Sequence, residues 1–298
     1  MKNTLLISII ILIFSPAVYS KDIVIWYKLD QPPYYTPNDT GIHNRIINHL
    51  ISRLPEYQHK FRRSNIGRAL NQIKVKETAV FVGMYKTQQR MEYSLYSRLP
   101  LYLNLNTTLI YKKSNSRNIE PFINQNGEVN IEALIQSEQF KLGISEGRQY
   151  SGIVDRMIEK YGQSGSFLIR SATNIPSGHL KMLLHERIDA YFDVPLSVEE
   201  SITSSGADGD EIVLAPISGM KRYEPVWILF PLSKWGQNIA NQIDNILYNG
   251  DTIDTYAGYY MKHIDASFIG SYKSIYKKYY QENYEIEFVA NVGSITVN

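Results

Sequence analysis

The chain predicts an α/β fold, with parallel or mixed sheets covered by helices on both faces. Three observations predict it. Short β-branched or aromatic runs recur along the 298 residues: DIVIWY (22–27), TAVFVG (78–83), TTLIYK (107–112), FKLGIS (140–145), IDAYFD (188–193) and VWILFP (226–231). Amphipathic helical segments separate most of them, and that alternation is the pattern of a sheet buried on both sides. Several runs stop on polar or turn-forming residues, and in an open α/β sheet ligands sit at the carboxyl ends of the strands.

In order, DIVIWY leads into Gln31-Pro32-Pro33-Tyr34-Tyr35. Ile42, Ile46, Ile47, Leu50, Ile51 and Leu54 then form one apolar face at helical spacing, ended by Pro55. With TAVFVG behind it, this helix makes a βαβ opening. TTLIYK is the next strand, and the polar SNSRN stretch (114–118) reads as the passage to a second unit. FKLGIS starts that unit, followed by a helix with Ile153, Val154, Met157, Ile158 and Tyr161 on one side. A further helix through Leu180, Leu183 and Leu184 leads to IDAYFD, and IVLAP (212–216) precedes a turn. VWILFP re-enters the first unit, and the helix after it shows Ile239, Ile243, Ile246 and Leu247 before Gly250. The loops at 115–130 and 203–210 are polar and read as exposed. Of 23 tyrosines many fall late, among them Tyr256, Tyr259, Tyr260, Tyr272, Tyr276, Tyr279, Tyr280 and Tyr284; a ring with a polar tip suits helix packing there better than ligand stacking.

The amino terminus reads as an export signal: Lys2, an apolar run at 5–14, and small or tolerated residues at 18–20. The run is shorter than the about 20 residues a spanning helix needs. Cleavage near Ser20 would leave a chain starting near Lys21, of about 278 residues, enough for two α/β lobes with separate cores. There is no cysteine, hence no disulfide, no thiolate metal site and no lipidated amino-terminal cysteine; a Gram-negative periplasm would contain such a product without an anchor. The formal charge of +2, or +1 without Lys2, provides no general field for nucleic acid or anionic membrane.

Short motifs in a fixed order carry a resemblance. Pro32-Pro33-Tyr34 follows the first strand; Thr87-x-x-Arg90 follows Gly83 and is succeeded by Ser94, Ser97, Pro100, Leu101 and Tyr102; Leu183-x-x-Glu186-Arg187-Ile188-Asp189-Ala190 precedes Asp193. From residue 22 to about 250 the chain resembles the family 3 extracellular solute-binding proteins. The resemblance implies a two-lobed type II periplasmic-binding-protein fold with a ligand cleft between the lobes. Applied here it gives a signal at 1–20, a first lobe of 21–112 plus 223–298, and a second lobe of 113–222. It also implies a monomer that captures a small carboxylate-bearing solute without a cofactor. The partner would be an inner-membrane ABC permease, or a membrane receptor or kinase if the module senses.

Arg90 is the leading site residue, because a guanidinium matches a carboxylate with two parallel hydrogen bonds and the resemblance gives its equivalent that role. Thr87 reads as a helix N-cap. Asp193 reads equally as an acceptor for a ligand ammonium and as a turn residue before Pro195, while Asp189 is assigned to structure. Three departures set the chain apart from amino-acid binders: Tyr85 where a small hydroxyl residue is common, Gly147-Arg148 followed by Tyr150 where Gly-Thr is common, and Tyr27-Lys28 in place of an acidic residue. They suit a larger, anionic or ring-bearing ligand. Tyr34 and Tyr27 offer stacking surfaces, although Tyr27 fits packing in the sheet as well, and Trp26 reads as core.

Catalytic patterns are few. His43 and His49 stand six apart, poor spacing for one metal, and His179, His185 and His263 read as solvated surface. No phosphate loop occurs. The enzyme alternative is a cyclohexadienyl dehydratase-like activity on the same fold, with Glu146 or Asp193 as general acid. A binding protein is the better reading.

Overall fold

The computed structural model describes residues 21–75, 78–150 and 152–286, so the export signal read at 1–20 lies outside the described residues. Two mixed sheets form two lobes. In the first, β1 (Ile23–Lys28) runs parallel between β2 (Gln58–Arg63) and β3 (Ala79–Met84), with α1 (Ile42–Ser52) and α2 (Ile66–Val75) as the connections. Ile42, Ile46, Ile47 and Leu50 make the inward stripe of α1, and all four are buried. Val24 to Tyr27 are buried on both faces of β1, as a sheet sandwiched between helices requires. After α3 (Gln88–Met91), β4 (Ser94–Tyr96) and β5 (Tyr102–Leu105), the chain leaves this lobe.

The second lobe contains β6 (Thr108–Lys112), α4 (Ser116–Ile119), α5 (Ile131–Gln136), β7 (Leu142–Ser145), α6 (Gly152–Tyr161) and β8 (Phe167–Arg170), then α7 (Ile175–Leu184), β9 (Ala190–Asp193), α8 (Pro195–Ser205) and β10 (Ile212–Ala215). Its sheet order is β10-β6-β9-β7-β8. β11 (Tyr223–Pro231) then returns to the first sheet, antiparallel to β3, β4 and β5, which completes the order β2-β1-β3-β11-β4 with β5 also on β11. The return of VWILFP is as the sequence predicts.

The position of TTLIYK is not. A lobe boundary at 112 puts this strand in the first lobe, yet β6 is a central strand of the second sheet, with Ile110 opposite Tyr191 on one side and Leu214 on the other. Its side chains alternate between two cores, Leu109 and Tyr111 into one and Ile110 into the other. The chain crosses before the strand, at Asn106: its Oδ1 accepts from the Thr107 N–H (2.8 Å), and its Nδ2 donates to the Lys221 carbonyl (2.9 Å) of the returning segment. One asparagine thus ties both crossing segments together. SNSRN is not the crossing; it contributes to a helical turn inside the second lobe, and Ile119 and Val129 nearby are fully buried rather than in an exposed loop. β2 escapes sequence reading because it is a charged edge strand, QHKFRR, with little burial to impose alternation.

After α9 (Lys234–Leu247), α10 (Gly250–Met261) and α11 (Ala266–Tyr284) pack on the free edge of β5. Tyr256, Tyr260, Tyr272, Tyr276 and Tyr280 are buried, as the packing reading of the late tyrosines expects. Their hydroxyls complete that edge. Tyr260 accepts from Leu105 N–H (2.9 Å), Tyr272 accepts from Leu103 N–H (3.2 Å) and donates to Leu103 O (2.8 Å), and Tyr280 donates to Pro100 O (2.6 Å). A sheet edge otherwise open to another strand is closed by side chains.

Candidate ligand-binding cleft

The carboxyl ends of β1, β3, β7 and β9 meet between the lobes around a narrow cavity of about 60 Å³. From the first lobe it is lined by Tyr34, His43, Gly83, Tyr85, Arg90 and Asn104, and from the second by Arg148, Gln149 and Val194. Tyr34 sits on the turn after β1, where the Pro32–Pro33 bond is cis, and its hydroxyl donates to Asn104 Oδ1 (2.7 Å). Asn104 Nδ2 donates in turn to the Tyr85 hydroxyl (3.2 Å). Burial raises the pKa of both tyrosines, so each is a neutral phenol at physiological pH.

Gly83, next to last in β3, has φ +92°, and a Cβ there would lie 2.0 Å from the His43 ring. Only glycine serves both the backbone angle and the close approach. His43 Nε2 pairs with the Tyr102 hydroxyl at 2.8 Å, and its buried Nδ1 has no partner among the described residues. Burial lowers its pKa to about 3, which keeps the ring neutral.

Thr87 caps α3 as expected, its hydroxyl accepting from Arg90 N–H (3.3 Å). Arg90 is only 2% exposed. Its guanidinium donates to the carbonyl of Tyr85 (3.1 Å) in its own lobe and to the carbonyl of Gly147 (3.0 Å) in the other. Both acceptors are neutral, and among the described residues no carboxylate pairs with Arg90. Burial lowers its pKa, with the neighbouring Tyr96 and Tyr93 opposing the shift. The Arg90 contact needs Gly147 close to the first lobe: at φ +70°, Gly147 stands where an added Cβ would be 3.2 Å from Gly67 Cα.

Arg148 and Asp193, read separately from sequence as a cationic contact and an ammonium acceptor, are bonded to each other. Arg148 Nη1 donates to Asp193 Oδ2 at 3.0 Å, and Nη2 donates to Oδ1. The side chains are 8% and 0% exposed. Val194 N–H adds a third hydrogen bond to Asp193 Oδ1 (2.7 Å). Burial alone would lower the Arg148 pKa, and the Asp193 charge more than reverses this. The Arg148 guanidinium also lies 5.1 Å from the centre of the Tyr150 ring.

The predicted residues therefore divide. Tyr34, Gly83, Tyr85, Arg90 and Arg148 line the cavity, and Asp193 stands behind Arg148. Tyr150 is buried in the second lobe, where its hydroxyl accepts from Ser145 N–H (2.7 Å). Tyr27 packs in the first lobe with its hydroxyl towards Gln72 Oε1 (3.5 Å), away from the cavity. Glu146 is exposed beside Gly67 and does not line the cavity, while Asp189 accepts from Lys141 N–H (2.7 Å), a structural role as expected. Sequence reading missed His43, Asn104 and Gln149. His179, expected at the surface, is 0% exposed, and His43 is 4% exposed. For His43 a signal existed, since it shares the helix face of Ile46, Ile47 and Leu50.

No protein-family model and no curated protein matches the chain. Solved structures match in fold. An amino acid ABC transporter substrate-binding protein from Streptococcus pneumoniae, bound to L-arginine, is 15% identical with a TM-score of 0.59, over 82% of this chain and 93% of that one. A histidine kinase sensor domain with similarity to periplasmic binding proteins is 13% identical, TM-score 0.61, over 82% and 96%. A Salmonella typhimurium periplasmic binding protein with high arginine specificity is 12% identical, TM-score 0.58, over 82% and 100%. With two sheets joined by two crossing segments and a cleft at the carboxyl ends of their strands, the chain has the two-lobed type II periplasmic-binding-protein fold, in a divergent form.

Proposed function

We propose that the protein is an exported, monomeric solute-binding protein that captures a small carboxylate-bearing solute between its lobes for ABC-type uptake. One observation carries the reading. Arg90 is a buried cation at the cavity wall whose guanidinium donates to neutral carbonyls of both lobes, and among the described residues no carboxylate forms an ion pair with it, the Asp155 charge only partly offsetting its burial. A buried charge left unbalanced is costly, and an anion that enters beside it recovers that cost. Arg148 is already balanced by Asp193, so it contributes a donor surface and little net charge. The aromatic and amide lining, Tyr34, Tyr85 and Asn104, suits a ligand with a ring or several polar groups. A cavity of about 60 Å³ is smaller than the roughly 150 Å³ that admits benzene, so entry requires the lobes to part about Asn106 and the returning segment. Among the described residues no helix is long and apolar enough to cross a membrane.

A sensing role is the second reading, supported by the comparable likeness to a kinase sensor domain. Thermal-shift screening against amino acids, dicarboxylates, aromatic acids and short glycans should find a ligand, since binding to the native state raises Tm. For that ligand, Arg90→Ala should weaken binding by roughly 30- to 1000-fold, and Arg90→Lys should restore only part. Unchanged affinity in Arg90→Ala would remove the carboxylate assignment.

A further inference from the structure

Behind the hinge lies a second cavity, of about 190 Å³. Asn104 lines the cleft and Leu105 lines this pocket, so the two sites stand back to back across β5, where adjacent side chains point to opposite faces. Tyr260 and Tyr272 form its floor with ring centres 5.1 Å apart, and Tyr223 adds a third ring 5.8 Å from Tyr272. The hydroxyls of Tyr260 and Tyr272 are engaged with the β5 backbone, which leaves ring surface facing inward. The other lobe contributes Leu196 and Glu199 of α8, and the returning crossing segment contributes Arg222.

We propose that this pocket is a second ligand site, for a small aromatic zwitterion, and that its occupant sets the angle between the lobes. The volume exceeds the about 150 Å³ in which benzene binds, so one ring fits among the tyrosines. Three charged side chains, Glu199, Asp265 and Arg222, line it beside His263; the Asp265 carboxylate accepts from the Ser267 N–H (2.8 Å), which leaves Glu199 and Arg222 to meet a ligand. Among the described residues neither the Glu199 carboxylate nor the Arg222 guanidinium has a hydrogen-bond or ion-pair partner; Arg222 rests over the Tyr223 ring at 5.6 Å. Burial raises the Glu199 pKa, as expected of a carboxylate with no cation beside it. A molecule with an ammonium and a carboxylate next to its ring complements both charges, whereas a singly charged analogue meets one of them as a like charge. The walls come from both lobes and from both ends of the crossing, so rotation of the lobes must change the pocket. An occupant therefore favours the arrangement that fits it, and the effect on the cleft is reciprocal.

This site is independent of the cleft reading, and calorimetry on the full chain separates the two. L-phenylalanine should bind, with phenethylamine and 3-phenylpropionate at least about tenfold weaker. Glu199→Gln and Arg222→Gln, both near the surface, should each weaken phenylalanine by about tenfold. Leu196→Trp, which fills the pocket, should abolish binding, and Arg90→Ala, which removes a contact between the lobes, should change it only modestly, through the lobe angle. Hydrogen exchange at 106–107 and 217–222 should slow when phenylalanine is added. No binding, equal binding of the singly charged analogues, or loss on Arg90→Ala with Glu199→Gln unaffected would each overturn the site. Unchanged exchange at the crossing segments would overturn the coupling. Glu199→Gln and Arg222→Gln leave the cleft residues in place, so loss at this pocket and loss of the ligand held by Arg90 are distinguishable, as two sites if phenylalanine occupies both.

Discussion

Removing one half of the Arg148–Asp193 pair is the sharpest test of how the second lobe builds its side of the cleft. Asp193 is 0% exposed and Arg148 8%, and the two are joined through both carboxylate oxygens. Asp193→Ala would strand a largely buried guanidinium without its carboxylate, at a cost of about 3–5 kcal/mol. At about 2–4 °C per kcal/mol, the Tm of the unit that contains it should fall by roughly 6–20 °C. The double variant Arg148→Met/Asp193→Leu keeps the volume and removes both charges. It still deprives Val194 N–H of its acceptor, so it should cost only about 1–2 kcal/mol. Urea titration followed by circular dichroism reports both lobes. Tryptophan fluorescence is the internal control, because all three tryptophans, Trp26, Trp227 and Trp235, belong to the first lobe and its helices. If the single and double variants lose the same stability, the stranded charge is not the source of the cost. If Asp193→Ala keeps native stability but loses an identified zwitterionic ligand, Asp193 is an ammonium acceptor and the structural account is wrong.

Tyr272→Phe removes the hydroxyl that serves both backbone groups of Leu103, and should cost about 2–4 kcal/mol; Tyr260→Phe, which strands only Leu105 N–H, should cost about half as much. Equal effects from these and from Tyr248→Phe, at an exposed tyrosine, would refute the edge-closing role. His43 and His179, both pushed down to about 3 by burial, stay neutral in the fold while the unfolded chain protonates near 6.5. Their contribution is complete above pH 6.5 and is lost as pH falls towards 3, approaching about 1.4 kcal/mol per pH unit for each. His43→Gln should remove one of these contributions, and an unchanged pH slope between 6 and 5 would contradict it. Mass spectrometry of exported protein should find a start close to Lys21, whereas full-length chain confined to membranes would sink the signal reading.

What the sequence determined by itself was local and periodic. The helix face of α1, the buried runs of β1, β3 and β9, and the cap at Thr87 follow from spacing and residue type, because backbone geometry repeats at 3.6 or 2 residues whatever lies beyond it. The fold class followed from their alternation. Which lobe TTLIYK joins did not, because a strand buried on both faces reads the same in either sheet, and the choice rests on Tyr191 and Leu214, far away in sequence. The fate of charges was equally hidden. Arg148 and Asp193 lie 45 residues apart, and only the meeting of the β7 and β9 ends turned two candidate ligand contacts into one neutral pair. His43 had the helix spacing of a core residue, but its imidazole became part of the cleft only because Gly83 leaves room for the ring and Tyr102 supplies its partner. Arg90 itself was legible as a candidate, while its burial between two carbonyls of opposite lobes required those lobes to close on it, since long-range contacts have no period to read.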